Sequence, residues 1–158
     1  MHTITPALPT DVAAIHAMIR GLADYERLVE LCTGTEAQLA DALFGAHPAA
    51  EVLIARSDGA IAGFALYFAT YSTFLARRGL WLEDLFVYPA LRGRGIGAGL
   101  LAAVAGIART RRCGRFEWAV LDWNESAIGF YQRLGATLMP DWRLARVTGD
   151  ALAALAGK

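Results

Sequence analysis

Between Leu91 and Leu100 the chain reads L-R-G-R-G-I-G-A-G-L, with four glycines and two arginines in ten residues. An apolar run, G-L-W-L-E-D-L-F-V-Y (Gly79 to Tyr88), precedes it and stops at Pro89; a second aliphatic run follows it. The first reads as a strand. The second reads as a helix from about Gly95 to about Arg112, with Ile96, Leu100, Leu101, Val104 and Ile107 on one face. Glycine is the worst non-proline residue for a helix interior, so this density at a helix entrance needs a reason. Backbone N–H groups at a helix start lack intrahelical partners and lie at the positive end of the helix dipole. Glycines let an anion come close to them and permit positive φ. Arg92 and Arg94 add charge, so the segment looks built for a diphosphate.

Several patterns compete for that loop. A P-loop needs G-K-[ST] after its second glycine, and the chain has none. Gly93, Gly95 and Ala98 formally meet the dinucleotide fingerprint G-x-G-x-x-[GA], which would imply an NAD(P)-dependent reductase. That fingerprint belongs to an opening βαβ unit, however, and here it lies past the middle of the chain after an apparent hairpin. A tight turn without ligand leaves the arginines unexplained. Arg92, Gly95 and Gly97 meet a further pattern, R-x-x-G-x-G.

The chain has 158 residues, 56% of them hydrophobic, which suits one domain over 1–158 with its own core. Fifteen basic residues balance fifteen acidic ones. Overall charge therefore gives no reason to expect nucleic acid or an anionic membrane as partner. Cys32 and Cys113 are far apart, and His2, His16 and His47 are scattered. No metal spacing results, and reduced thiols in the cytoplasm are expected. The N-terminus has no basic region with an apolar run behind it, so no signal peptide is expected. The uncharged stretch Gly59 to Ala76 reaches the length of a membrane span. Its Gly63, Thr70, Ser72, Thr73 and two tyrosines, after the turn Ser57-Asp58-Gly59, make it a buried strand running into a loop instead.

The remaining elements follow from pattern. A first strand covers Thr3 to Ala7. P-T-D opens a helix with Thr10 as N-cap, followed by Val12, Ile15, Ile19 and Leu22 at helical spacing. Thr35 and Gln38 form a capping box for a second helix ending near Phe44-Gly45. Glu51 to Arg56 and Ala60 to Ala69 flank S-D-G as a hairpin. Arg115 to Asp122 is a further strand, and E-S-A-I-G-F-Y-Q-R-L a short helix closed by Gly135. Trp142 to Val147 is a last strand. The order β-α-α-β-β-β-α-β-α-β gives a mixed α/β sheet with helices packed on it.

With R-x-x-G-x-G in that order of elements, the chain resembles the GNAT (Gcn5-related) N-acetyltransferases, which bind acetyl-coenzyme A. G-L-A-D-Y-E, W-L-E-D-L-F-V-Y-P-A-L-R-G-R-G-I-G, A-V-L-D-W-N-E-S-A-I-G-F-Y-Q-R-L-G-A and the late D-W-R-L are similar to the diamine acetyltransferase branch. That branch includes spermidine/spermine and thialysine N-acetyltransferases. The resemblance implies a mostly antiparallel sheet of six to seven strands flanked by about four helices. It implies acetyl-coenzyme A as co-substrate, no metal, and a homodimer whose C-terminal strand lies near the partner.

Acetyl transfer to an amine requires the coenzyme to be held, the ammonium deprotonated, the oxyanion stabilised and the leaving thiolate protonated. The resemblance assigns coenzyme grip to Arg92, Gly93, Arg94, Gly95, Ile96, Gly97 and Ala98. Leu85, Phe86 and Val87 pair with the pantetheine amides and supply an oxyanion donor; Asn124 and Ser126 are further contacts. Tyr131 aligns with the general acid; an ordinary phenol, with a pKa near 10, is a reasonable donor. In composition alone F-Y on a helix is as readily packing, and Asn124 as readily an N-cap. Glu83 and Asp84 are adjacent, so on a regular strand they face opposite sides. Carboxylates inside an apolar run are costly unless paired or used. The resemblance places Glu83 at the amine, with Asp84, Tyr25 and Glu26 as further substrate contacts.

One departure bears on the acceptor. Polyamine enzymes carry an acidic residue, then proline and tryptophan, after the T-Y that aligns with Thr70-Tyr71. This chain has Ser72, Thr73 and Phe74. A long polycation would lose a counter-ion there. The expectation is a small primary amine, lysine-like or a short diamine, with polyamines as the alternative. A GNAT-shaped module that binds the coenzyme without catalysis is the rival of another class.

Overall fold

The computed structural model describes residues 1–157, in two compact units, 1–119 and 120–157. The first unit is built on one sheet in the order β1-β2-β3-β4-β5. The strands are β1 (His2–Pro6), β2 (Glu51–Ser57), β3 (Ala60–Ser72), β4 (Arg77–Val87) and β5 (Phe116–Trp118). The first four pair antiparallel and β5 joins β4 in parallel. Asp58 and Gly59, both at positive φ, make the tight turn between β2 and β3. The uncharged stretch from Gly59 is thus strand β3 and its turn. Among the described residues no helix is long and apolar enough to cross a membrane.

Helices cover both faces of the sheet. On one face α1 (Val12–Tyr25) and α2 (Glu36–Phe44) bury Ile15, Met18 and Leu43 against Val52, Ile54, Phe64 and Phe86. On the other, α3 (Ile96–Thr110) buries Ile96, Leu100, Leu101, Val104 and Ala108. Four consecutive residues of β2, Val52 to Ala55, are therefore buried, as expected for a strand covered on both sides. Arg111, capping α3, grips both carboxylate oxygens of Glu51 at 2.5 and 2.6 Å and fixes that helix across the sheet.

Thr35 caps α2 as the sequence indicates: its hydroxyl accepts the Gln38 N–H, while Gln38 Oε1 accepts the Thr35 N–H. The start of α1 differs. P-T-D forms a 3-10 turn, Pro9–Asp11, and Thr10 lies inside it. Asp11 does the work instead. Its carboxylate accepts the Leu8 N–H at 2.9 Å and pairs with Arg56 at 2.6 Å, so this carboxylate is buried but satisfied.

The second unit holds α4 (Glu125–Arg133) and α5 (Gly149–Ala156). Asn124 caps α4 by accepting the Ala127 N–H. Gly135, at φ 92, closes it: the Gly135 and Ala136 amides return to Gln132 and Tyr131 carbonyls.

Three expectations are corrected. The sheet has five strands rather than six or seven. Trp142 to Val147 forms no strand, and only Phe116–Trp118 of the proposed Arg115–Asp122 strand pairs. A fifth helix, Gly149–Ala156, stands where none was expected. Trp142 and Leu144 are exposed, so their alternation with polar residues mimics a strand pattern without a neighbour to complete it.

Candidate active site

Strand β4 carries the site, and its sequence sets two devices there. The first is its edge. β5 pairs only with Leu80, Trp81 and Leu82. Beyond them, among the described residues, no strand pairs with that edge of Glu83 to Val87. Leu85, Phe86 and Val87 bond to β3 through Ala65, Phe64 and Gly63 on the other side. An unpaired strand edge is a template for amide groups of a ligand.

The second device is a bulge. The β3–β4 register shifts between Leu66 and Tyr67, which face Asp84 and Leu82 and leave Glu83 as the extra residue. The expectation that Glu83 and Asp84 face opposite sides fails for this reason. Trp81 Nε1 donates to Glu83 Oε2 at 2.8 Å, and the Glu83 and Glu26 charges both act on Asp84. The two acids of E-D therefore share the face covered by α1.

Asp84 borders an open depression of about 200 Å³, and Glu83, exposed, does not line it. Leu22 of α1, Glu26 just after its end, Leu28, Leu31 and Cys32 beyond it, and Asp84 line it. Burial, then the Glu83 and Glu26 carboxylates, push the Asp84 carboxyl up to about 7. Burial also raises Glu26. A cluster of acids that repel one another in an apolar wall is costly until a cation arrives. The sequence reading placed all three acids at the site but not Leu28, Leu31 or Cys32. The available signal was the apolar Leu28, Val29, Leu31 and Cys32 in R-L-V-E-L-C-T-G, a segment with no helical or strand period to place them.

The glycine-rich loop follows β4 through the 3-10 turn Pro89–Leu91. Gly93 and Gly95 sit at φ 75 and 78, and neither has a neighbour within 4 Å of where a Cβ would stand. The first helical bond is Gly99 N–H to Gly95 O. Among the described residues the amides of Ile96, Gly97 and Ala98 have no backbone partner, so the open loop fits an anion of diphosphate size. Arg94 is exposed. Arg92 is engaged: its Nε donates to Val87 O at 3.0 Å and its guanidinium lies 4.9 Å from the Tyr25 ring centre. Tyr25 thus fastens the end of α1 to the loop.

In the second unit, Asn124 is 7% exposed and Ser126 is exposed. Tyr131 is half-buried on α4, its ring 5.2 Å from that of Phe130. The N-cap role of Asn124 is met, and its buried amide holds the helix that carries Tyr131.

Similarity to known proteins fits this geometry. Residues 17–136 match the acetyltransferase (GNAT) family. The chain is 38% identical to thialysine N-epsilon-acetyltransferase of Sus scrofa, over 98% of this chain and 97% of that one. It is 35% identical to L-ornithine N5-acetyltransferase of Arabidopsis thaliana, over 94% of this chain and 85% of the relative. Its fold superposes on an integron cassette protein from the mobile metagenome of V. cholerae with a TM-score of 0.83 at 27% identity, covering 99% and 98% of the two chains. The dinucleotide reading of Gly93, Gly95 and Ala98 gives way, because the β4–α3–β5 unit that carries the loop follows three antiparallel strand pairs instead of opening the sheet, and the family match is to acetyltransferases. The chain belongs to the acetyltransferase (GNAT) family, and its sequence relatives include N-acetyltransferases of small amines.

Proposed function

We propose that the protein transfers the acetyl group of acetyl-coenzyme A to a primary amine of a small lysine-like molecule, such as thialysine, or of a short diamine. The observation that carries this reading is the convergence of Glu26, Glu83 and Asp84 beside an apolar-walled cavity in an acetyltransferase fold. The names of the thialysine and ornithine relatives support the same acceptor class.

The residues present suit acetyl-coenzyme A, which when bound supplies an activated acyl thioester. The open amides from Gly93 to Ala98 take the diphosphate, with Arg94 as the exposed charge. The Leu85–Val87 edge takes the amide groups and offers an oxyanion donor. Asn124 and Ser126 are further coenzyme contacts in this reading.

The acid cluster attracts the acceptor as an ammonium ion. Asp84, poised at about 7, is basic enough to take a proton near neutrality and acidic enough to pass it on. Glu83, oriented by the Trp81 indole, relays it through water. Tyr131 Oη donates the proton when sulfur leaves.

A thiol-release assay with acetyl-coenzyme A tests the reading on thialysine, lysine, ornithine, short diamines, spermidine, spermine and a lysine peptide. Turnover is expected on the lysine-like amino acids or short diamines. Polyamine preference replaces the acceptor class and keeps the reaction. Coenzyme binding in a thermal shift with no transfer overturns the reading in favour of a non-catalytic module.

The reading includes a homodimer in the cytoplasm, where the free cysteines Cys32 and Cys113 stay reduced. Trp142, Leu144, Val147, Leu152 and Leu155 remain exposed in the second unit, an apolar surface that association would cover. Sedimentation is expected to give twice the chain mass; a monomer at micromolar concentration overturns the dimer.

A further inference from the structure

The cavity beside Asp84 has two unlike sides. Glu26 and Asp84 carry the acids, and Leu22, Leu28 and Leu31 form an apolar wall. Leu28 is 38% exposed and Leu31 is 69% exposed. Folding has not buried these leucines, although both line a cavity. The depression is open to solvent on the side of Leu31, so a stem can lie along the leucines while its ammonium reaches the acids.

The position that suggested acceptor choice from sequence lies elsewhere. Ser72 is 4% exposed, and its hydroxyl accepts the Leu75 N–H in the turn between β3 and β4. It is not among the residues lining the cavity. Glu30, between the two leucines in sequence, does not line it either. A second cation within the stem would therefore find no lining carboxylate beyond Glu26 and Asp84, which hold the first ammonium, and would lose hydration against Leu28 and Leu31 without compensation. Methylene or thioether groups would instead cover the leucines and gain from it.

Resting on the acetyltransferase reading above, we propose that Leu28 and Leu31 determine acceptor specificity. They select a primary ammonium followed by an uncharged aliphatic or thioether stem, and they disfavour a second cation within that stem. The discrimination is one of solvation: the wall rewards an apolar stem and leaves a mid-chain charge unpaired.

The test compares kcat/KM for thialysine and for spermidine in the wild type, Leu31→Ala and Leu31→Glu. Leu31 is exposed, so neither change removes core packing. The wild type is expected to favour thialysine by about tenfold or more. Leu31→Ala is expected to lower kcat/KM for thialysine about three- to tenfold, through KM with kcat kept. Leu31→Glu is expected to move the thialysine-to-spermidine ratio about tenfold toward spermidine. A wild type that turns over thialysine with a ratio unmoved by either substitution overturns the wall and leaves the proposed function standing. A wild type that already favours spermidine overturns the wall as well. A wild type that acetylates no amine overturns both.

Discussion

Replacing Tyr131 by phenylalanine is expected to lower kcat about 10²- to 10³-fold, the usual scale for a lost general acid, with acetyl-coenzyme A affinity kept within about twofold. The change removes one oxygen and leaves the ring that sits beside Phe130. The supports of α4 stay in place: the Asn124 cap at one end and the Gly135 closure at the other. A loss of turnover with an unchanged melting temperature therefore separates proton donation from packing. The cleanest readout is the leaving group. An acetyl thioester of a thiol more acidic than coenzyme A needs less help in departing, so the variant should recover part of its rate with such a donor. Equal turnover by wild type and variant on acetyl-coenzyme A removes Tyr131 from the mechanism.

What was legible in the sequence depended on whether its cause was local. The glycine loop was legible because positive φ at Gly93 and Gly95 and the entry into α3 are properties of a few consecutive residues. The Thr35–Gln38 box and the Gly135 closure were legible for the same reason. The bulge at Glu83 was not. A bulge is a mismatch between two strands, and neither β3 nor β4 alone records it. That one residue decides whether E-D divides its charges between two faces or concentrates them on one. The wall of Leu28 and Leu31 was hidden similarly, since it becomes a wall only where α1 and β4 bring Glu26 and Asp84 to it. The stretch from Trp142 to Val147 failed in the opposite direction. Its alternation is a strand pattern, but a strand needs a neighbour, and pattern alone does not supply one.

The acid cluster carries the clearest link between stability and activity. An acid whose folded pKa lies above its unfolded value binds more protons in the folded state. Its contribution to stability is therefore complete at low pH and is lost as pH rises between the two values. For Asp84 that window runs from about 3.8 to about 7. At about 1.4 kcal/mol per pH unit, charging this buried carboxyl costs the folded chain up to about 4 kcal/mol above neutrality. Asp84→Asn removes the ionisation and keeps the shape. The variant is expected to be more stable than the wild type by about 2 to 4 kcal/mol at pH 8, and by less than half of that at pH 5. In melting temperature the gain at pH 8 is about 5 to 15 °C. Activity should move the other way. Without this charge the amine loses its partner and the proton its acceptor, so kcat/KM should fall about 10²-fold. Melts at the two pH values and one kinetic comparison check both halves. A stability difference that does not change with pH means that Asp84 does not titrate in this window. A stabilised variant with undiminished kcat/KM means that the acid cluster serves something other than the acceptor amine. The joint outcome, a more stable and less active protein, identifies Asp84 as a charge held at the site for its chemistry, at a cost to the fold.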